Sequence, residues 1–301
     1  KYCPKVSKLP ESMISSSFKE YITHVLGSPI KKADPVSGGD ISKAYCLHTS
    51  TNRFFLKLNE RQNALKMFQT EKSGLDEINQ TNTIKAPEVV SCGQYNANSF
   101  ILMEFVASKN PTSKEMEVFG HQLADLHTIP VGESFGWKED NYIGSLAQSN
   151  KNHQEWAFFY VYERLLPQLV MARDKGLLRP SEAPMESTLL NRCRHFFPEV
   201  QPALLHGDLW SGNYVINSEG IPYLIDPALY YGHCEVDLAM TRLFGGFSTS
   251  FHAAYNEQIQ IEPLHNERMD IYQLYYLLVH LNLFGRSYYA SVKQLLKTYF
   301  P

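Results

Sequence analysis

The sequence predicts an α+β fold in two lobes, a small strand-rich lobe followed by a larger helical lobe. Short apolar runs separated by glycine and asparagine turns recur in the first 107 residues, a pattern typical of strands. Beyond them, apolar residues recur every three to four positions over long segments, which indicates amphipathic helices. The composition changes to Ala-Ser-Lys-Asn-Pro-Thr-Ser directly after Val106. We therefore place a boundary between residues 1–107 and residues 108–301.

A helix and a glycine turn are predicted at the start of the chain. Residues 11–28 repeat apolar side chains with a 3.6-residue period, which predicts the helix. Gly38, Gly39 and Asp40 then form a tight turn between two strand-like runs. A glycine turn lets backbone amides approach a phosphate closely, but most Gly-Gly turns are ordinary hairpins. The turn by itself leaves both alternatives open.

The next predicted strand carries a lysine between apolar neighbours. It runs over Arg53-Phe54-Phe55-Leu56-Lys57-Leu58, and the helix predicted after it bears Glu71. Phosphoryl transfer in kinases uses a strand lysine over the nucleotide phosphates, held by a carboxylate from the following helix. The alternative is a solvated lysine on an edge strand and an exposed glutamate. We predict a Lys57–Glu71 pair, because the downstream residues described below supply the rest of such a site.

Two more strands and a series of helices follow. Residues 87–90 and 99–105 are predicted strands separated by a turn. The helical predictions cover residues 112–128, a long helix from about residue 153 that Pro167 should kink or break, and residues 267–299. Residues 135–150 are predicted to be a polar, aromatic loop that serves as a flap or a substrate wall.

Two carboxylates and one carboxamide lie close together in the second half. Asp208 and Asn213 belong to the run Leu205-His206-Gly207-Asp208-Leu209-Trp210-Ser211-Gly212-Asn213, and a predicted hairpin over residues 214–225 brings Asp226 back towards Asn213. Mg²⁺ prefers hard oxygen ligands, and phosphoryl transfer needs a carboxylate that accepts a proton. Protein kinases have the same five-residue Asp–Asn spacing and a second Asp downstream. The alternative is that these residues only form turns. In that case the same residue types would stand at the same offsets as in kinases by chance alone.

Composition limits the classes of partner. Apolar residues make up 44% of the chain and the net charge is −3, so nothing favours nucleic acid or an anionic membrane as a partner. The five cysteines are scattered and form no Cys-x-x-Cys pair, which is typical of reduced thiols. The sequence contains no signal-peptide pattern and no apolar run long enough to cross a bilayer. We expect a cytoplasmic protein.

Further motifs accompany these residues along the chain from about residue 18 to the C-terminus. They are Phe55-Leu56-Lys57-Leu58-Asn59, Asn141-Tyr142-Ile143-Gly144-Ser145-Leu146, Arg164-Leu165-Leu166-Pro167-Gln168, Asp226-Pro227-Ala228, Tyr230-Tyr231-Gly232-His233, Asp237 and Leu243-Phe244-Gly245-Gly246-Phe247. With them, the chain resembles the fructosamine kinase (ketosamine-3-kinase) family, a branch of the aminoglycoside-phosphotransferase-like kinases. The resemblance implies a protein-kinase-like fold.

The resemblance also implies an activity, namely ATP-dependent phosphorylation of the sugar 3-hydroxyl in free or protein-bound glycated amines. By that resemblance Asp208 is the base, Asn213 and Asp226 bind Mg²⁺, and Lys57 with Glu71 holds the phosphates. Trp210 would lie beside the sugar, although a Trp there could instead pack beneath the loop as core. The resemblance adds as nucleotide-binding residues the loop of Gly38, Gly39 and Asp40 and an adenine hinge of Met103, Glu104, Phe105 and Val106.

Two positions depart from the family pattern. Cys234 stands where the pattern has the arginine of Gly-His-Arg-Glu, and Asp40 stands where some relatives carry a cysteine. Two alternative functions remain open, a kinase of the same fold acting on an aminoglycoside or choline, and a non-catalytic nucleotide-binding module. A non-catalytic module is disfavoured, because Lys57, Asp208 and both metal-binding candidates are all present. We expect a monomer.

Overall fold

The computed structural model describes residues 14–36 and 42–301. The predicted Gly38, Gly39 and Asp40 turn therefore lies outside the described residues. The first part of the chain contains α1 (Ser16–Leu26), β1 (Lys32–Val36), β2 (Lys43–His48), β3 (Arg53–Asn59), α2 (Ala64–Gln80), β4 (Val89–Tyr95) and β5 (Asn98–Glu104). The second part contains α3 (Ser113–Thr128), β6 (Asn141–Ile143), β7 (Leu146–Gln148), α4 (Trp156–Tyr160), α5 (Leu166–Asp174), α6 (Glu186–Phe196), β8 (Ala203–Leu205), β9 (Tyr214–Ile216), β10 (Pro222–Leu224), β11 (Tyr230–Gly232), α7 (Glu235–Leu243), α8 (Thr249–Gln258), α9 (His265–Phe284) and α10 (Tyr289–Tyr299).

An antiparallel five-stranded sheet organises the first part, in the order β1-β2-β3-β5-β4. Side chains alternate between the two faces of a strand. Leu56 and Leu58 of β3 therefore pack with Phe18 and Ile22 of α1 in one apolar cluster. Lys57 points to the opposite face, on which α2 packs. The alternation along β3 thus decides that Lys57 faces the helix that carries Glu71.

The second part is built mainly from helices around an aromatic core. Thr112 begins α3 with a capping box, in which its side chain accepts from the Glu115 amide and Glu115 accepts from the Thr112 amide. Gly120 lets α8 pack closely on α3, because a Cβ there would lie 2.3 Å from the carbonyl oxygen of Phe251. Tyr160 and Tyr272 are fully buried between the helices.

The irregularity predicted at Pro167 is present. A π-helical segment over Val161–Leu165 joins α4 to α5, and Pro167 lies within the first turn of α5. Proline has no N–H and its ring clashes with the preceding turn, so the hydrogen-bond ladder is displaced where proline enters a helix.

One prediction for the second part was wrong in detail. Residues 135–150 are not a single loop, because β6 and β7 form a short antiparallel hairpin within them. The helical prediction for residues 267–299 is confirmed, with a division that it did not specify. Gly285, whose φ of 87° suits glycine, follows the end of α9, and a 3₁₀ turn over Arg286–Tyr288 precedes α10. Over the described ranges 14–36 and 42–301, no helix has both the length and the apolar character needed to cross a membrane.

Candidate active site

The β9–β10 hairpin brings Asn213 and Asp226 together, as its sequence predicts. Tyr214 pairs with Leu224, and the Ile225 amide donates to the Asn213 carbonyl over 3.0 Å. Asp226, the next residue, has a φ of 54°. A left-handed conformation is uncommon for a residue with a side chain and clusters at functional sites, so the backbone here is held against its local preference.

His206 joins the loop that bears Asp208 to the end of this hairpin. Its Nε2 donates to the Ile225 carbonyl over 2.9 Å, and its Nδ1 accepts from the Asp208 amide over 3.2 Å. Burial lowers the pKa of His206, which favours the neutral ring that can both donate and accept. Gly207 has a φ of 83°, and a Cβ there would lie 2.1 Å from the Ala228 carbonyl oxygen.

Two residues from the helical core hold the same loop. The carboxylate of Asp237 in α7 accepts the backbone N–H of His206 over 2.7 Å and that of Gly207 over 2.9 Å. The Tyr276 hydroxyl in α9 donates to the Gly207 carbonyl over 2.9 Å. These contacts hold the loop that bears Asp208. His127 at the end of α3 is buried against Asp237.

Lys57 forms a buried ion-pair cluster with two carboxylates. Its Nζ donates to Glu71 Oε1 over 2.8 Å and also to Asp226 Oδ1. Burial opposes the charge of Lys57, but the two carboxylates outweigh it and raise the pKa of the amine. Burial likewise disfavours ionised Asp226, and the Lys57 charge overcomes it, which lowers the pKa of that carboxyl. Burial raises the pKa of Glu71 to about 7. The predicted Lys57–Glu71 contact is therefore present.

Asp208 faces the same space from the other lobe. Burial, reinforced by the Asp226 charge, raises its pKa to about 7. The Asn213 amide donates from Nδ2 to the Asp208 backbone oxygen over 2.8 Å and to its carboxylate over 3.1 Å. This orientation leaves Oδ1 of Asn213 as an oxygen donor. The Asp226 carboxylate and the Asn213 carboxamide oxygen are hard donors of the kind that Mg²⁺ takes together with phosphate and water, so these two residues fit that ion.

One cavity of about 760 Å³ connects these residues. Lys57, Glu71, Asp208, Asn213 and Asp226 all line it. Its remaining walls come from α2, from the β6–β7 turn, from the segment after α7 and from α9, and include Met67, Thr70, Tyr142, Gly144, Ser145, Phe244, His280 and Phe284. The structure thus brings both lobes to one cleft.

The other predicted site residues differ in their placement. Trp210 lines the cavity with 38% of its surface exposed and lies over Gly212, so it does not pack in the core. Met103 and Glu104 end β5, and Phe105 and Val106 follow it. None of the four is among the described residues that line the cavity.

Several residues at the cavity are missed by the sequence reasoning. Tyr276, His280 and Phe284 recur every four residues on α9, and they read as one more apolar helix face. The only available signal was His280, a titratable residue within that stripe. Asn141, next to the cavity residue Tyr142, belongs to one of the sequence motifs, and its contacts are structural. Its side-chain nitrogen donates to the Leu229 carbonyl over 2.8 Å, and Gln148 donates to its oxygen over 2.8 Å.

Glu235, the residue after Cys234, is paired with an arginine from another helix. Its carboxylate receives two hydrogen bonds from the Arg268 guanidinium of α9, over 2.5 and 2.8 Å. His265 lies 2.9 Å from the same carboxylate. These contacts lower the pKa of Glu235 to about 2 against the opposing effect of burial. An arginine from α9 therefore stands beside Glu235, although the chain lacks one at position 234.

The structure combines a small antiparallel sheet, which carries a lysine–glutamate pair, with a helical lobe, which carries an Asp, Asn and Asp cluster. This is the architecture of the kinase-like phosphotransferases. A sequence model of the family described as "Fructosamine kinase" matches residues 14–300. The chain belongs to this family.

Relatives of known name agree with this assignment. A "probable ketoamine kinase" of Synechocystis sp. is 38% identical over 282 residues, covering 92% of this chain and 94% of the relative. The chloroplastic protein-ribulosamine 3-kinase of Arabidopsis thaliana is 35% identical, with 96% and 89% covered. The ketosamine-3-kinase of Mus musculus is 34% identical, with 88% and 93% covered.

Solved structures resemble the fold. A crystal structure assigned to a fructosamine-3-kinase from Haemophilus somnus superposes with a TM-score of 0.85 at 27% identity, over 94% of this chain and 97% of that chain. An aminoglycoside phosphotransferase superposes with a TM-score of 0.61 at 13% identity, over 93% and 98%. The second likeness concerns the fold alone.

Proposed function

We propose that this protein is an ATP-dependent kinase that phosphorylates the 3-hydroxyl of ketosamines, with the cleft between its lobes as the active site. The observation that carries the proposal is the convergence of Lys57, Asp208, Asn213 and Asp226 on one cavity from separate elements. Family membership supports the phosphotransferase class, and the names of the Arabidopsis and mouse relatives support ketosamines as acceptors.

Asp208 accepts the proton of the acceptor hydroxyl in this proposal. The hydroxyl oxygen then forms a bond to the γ-phosphorus of ATP while the bond from that phosphorus to the ADP oxygen breaks. Asp237, His206 and Tyr276 act as positioning residues, because they fix the backbone on either side of Asp208. Lys57 binds the phosphates and Glu71 orients Lys57.

Asn213 and Asp226 would hold Mg²⁺ through oxygen atoms. When bound, the ion neutralises charge on the phosphates of the nucleotide. Asp226 also contacts Lys57 through Oδ1, so this carboxylate would be shared between Lys57 and the ion. The sequence-predicted residues Gly38, Gly39 and Asp40 would cover the phosphates, and Met103 to Val106 would bind adenine. We propose residues 1–107 and 108–301 as the two lobes around the nucleotide.

The acceptor lies beside Trp210 in this proposal. Its exposed indole offers an apolar face and one N–H donor, which suit the C–H face and hydroxyls of a sugar. The amine of the substrate is free or protein-borne, and the name of the Arabidopsis relative supports the second. An aminoglycoside acceptor has only the support of a fold-level likeness at 13% identity.

ATP turnover across a panel of acceptors tests the proposal. The panel comprises ribulosamines, erythrulosamines, fructosamines, aminoglycosides and choline, and the Asp208→Asn variant measures background hydrolysis. We expect Asp208-dependent ADP release with ketosamines and a phosphate on the sugar 3-oxygen by NMR. Turnover with aminoglycosides or choline alone would contradict the substrate class. Nucleotide binding without turnover on any acceptor would favour a non-catalytic module.

A further inference from the structure

Four neighbouring ring side chains line one part of the cavity. Phe244, Phe284 and Tyr288 each lie against His280, and the four residues are here called the aromatic wall. The ring centroid of His280 lies 4.7 Å from that of Phe244, 5.5 Å from that of Phe284 and 5.1 Å from that of Tyr288. Phe284 is 52% exposed and Phe244 is 39% exposed. Large exposed aromatic residues that gather at a cavity indicate a binding surface.

The aromatic wall is placed relative to the catalytic loop by α9. Tyr276 contacts Gly207, immediately before Asp208, and His280 and Phe284 follow one and two helical turns later. One turn advances about 5.4 Å along the axis. In a ketosamine, the amine nitrogen on C1 is separated from the 3-hydroxyl oxygen by four covalent bonds. With that hydroxyl at Asp208, an amine directed along α9 towards the aromatic wall lies about one helical turn further, at the level of His280.

The carboxylates that line the cavity, among the described residues, lie outside the aromatic wall. The amine of a ketosamine is a cation when protonated. Among the described residues lining the cavity, the carboxylates are Glu71, Asp208 and Asp226. Glu71 and Asp226 are engaged by Lys57, and Asp208 contacts Asn213 and faces the reacting hydroxyl. No carboxylate of this set belongs to the aromatic wall, so a cation there is met by ring faces.

We propose that the aromatic wall is the subsite for the protonated amine of the ketosamine, held by cation–π contact with Phe244, Phe284 and Tyr288. The inference rests on the proposed function, and it adds a physical reason for the enzyme to select among acceptors. An enzyme with this subsite favours cationic ketosamines over uncharged ketose derivatives of the same shape.

His280 contributes an acceptor to this subsite. Its Nδ1 lies 2.8 Å from the Tyr276 carbonyl, which can only accept, so Nδ1 carries the hydrogen. Nε2 of the neutral ring is then an acceptor for an N–H of the substrate amine. Burial lowers the pKa of His280, and the neutral ring avoids repulsion with a bound cation.

The test compares two acceptors of one shape, a 1-deoxy-1-(propylamino)ketose and the 1-O-propyl ether of the same ketose. For the wild-type protein we expect kcat/KM to be about tenfold higher for the amine, the scale of a partly desolvated cation–π contact. Phe284→Leu and Tyr288→Leu keep apolar volume and remove a ring face. In the double variant the ratio of the two kcat/KM values should fall to within about twofold of one.

Two variants serve as controls. Tyr288→Phe keeps the ring and should keep the selectivity ratio. Ile261→Ala removes an exposed apolar side chain outside this cavity and should leave both kcat/KM values unchanged. Thermal melts verify folding, and Phe244→Leu replaces the double variant if that protein does not fold.

The possible outcomes distinguish a failure of the proposed amine subsite from a failure of the proposed kinase function. Equal turnover of both acceptors by the wild-type protein would overturn the proposed amine subsite but would not contradict the ketosamine kinase function. A selectivity ratio that survives loss of the ring faces would overturn the subsite as well. Turnover of neither acceptor, with ATP still bound, would overturn the proposed function itself.

Discussion

His206 donates a hydrogen bond from Nε2 to the backbone carbonyl of Ile225 over 2.9 Å. Because Asp208 lies two residues after His206 and Asp226 lies one residue after Ile225, this contact connects the loop and the strand end that carry the two carboxylates. The Asp237 contacts to the same loop anchor it to α7. The separation of Asp208 from Asp226 is thus set by buried contacts, and substitutions at the cleft should alter chemistry before they alter the backbone.

Replacement of Asp208 by Asn should remove the proton acceptor while preserving its size. We expect kcat to fall by roughly 10²- to 10⁴-fold, the usual contribution of a general base, and ATP affinity to stay nearly unchanged. Steady-state kinetics and calorimetric ATP binding measure both. The matched control is Asp125→Asn on the exposed face of α3, which should behave as wild type. A protein that retains half of the wild-type turnover would exclude Asp208 as the base.

Replacement of Asp226 by Asn should weaken Mg²⁺ binding without distorting the chain. Asn tolerates the left-handed φ of 54° found here, so the substitution keeps the backbone while it removes the charge that binds Mg²⁺ and that pairs with Lys57. We expect the affinity for Mg²⁺–ATP to fall at least about tenfold in calorimetry, because a carboxylate ligand is lost. Titration of ATP in the presence of a chelator provides the control. Equal Mg²⁺–ATP affinity in both proteins would show that Asp226 does not bind the metal.

Lys57 and Glu71 should act as a unit. In a double-mutant cycle with Lys57→Met and Glu71→Gln, we expect a coupling of about 0.5–3 kcal/mol in the activation free energy calculated from kcat/KM. Lys72 and Asp76, an exposed ion pair on the same helix, form the matched control and should show no coupling in that quantity. Strictly additive effects of the Lys57 and Glu71 substitutions would argue against their pairing in the working enzyme.

Trp210→Ala separates a sugar-binding role from a packing role. Because 38% of the Trp210 surface is exposed, we expect little change in Tm. The KM for a ketosamine should rise about two- to tenfold, the scale of an aromatic contact, and the KM for ATP should change less. Both KM values and Tm are measured on one preparation. A large fall in Tm with an unchanged KM for the ketosamine would refute a sugar-binding role for Trp210.

His233 should make the fold sensitive to acid. Burial lowers its pKa to about 4 despite the nearby Glu235, whereas an unfolded histidine titrates near 6.5. Between these values the unfolded chain binds a proton that the folded chain does not, so falling pH favours unfolding. From pH 6.5 to 4.5 this should remove about 2 kcal/mol from the free energy of unfolding. Urea titrations of His233→Asn should show a shallower pH dependence, and identical slopes would contradict the assignment.

The sequence by itself determined the parts of the site that depend on local geometry. A hairpin of fixed length returns Asp226 to Asn213, and the alternation of β3 turns Lys57 away from Leu56 and Leu58. Both results follow from strand period and turn length, which neighbouring residues encode. The interruption at Pro167 is local in the same sense, because it follows from a missing N–H.

Only the tertiary structure decided which long-range contacts complete the cleft. Asp237, Tyr276 and His206 hold the catalytic loop through partners up to 69 residues apart in the chain. Nothing in their local pattern distinguishes them from capping or core residues. The aromatic wall is the clearest case, since the period of α9 places Tyr276, His280 and Phe284 on one face but does not say whether that face is covered. Burial depends on which other elements pack there, and that is a property of the whole fold.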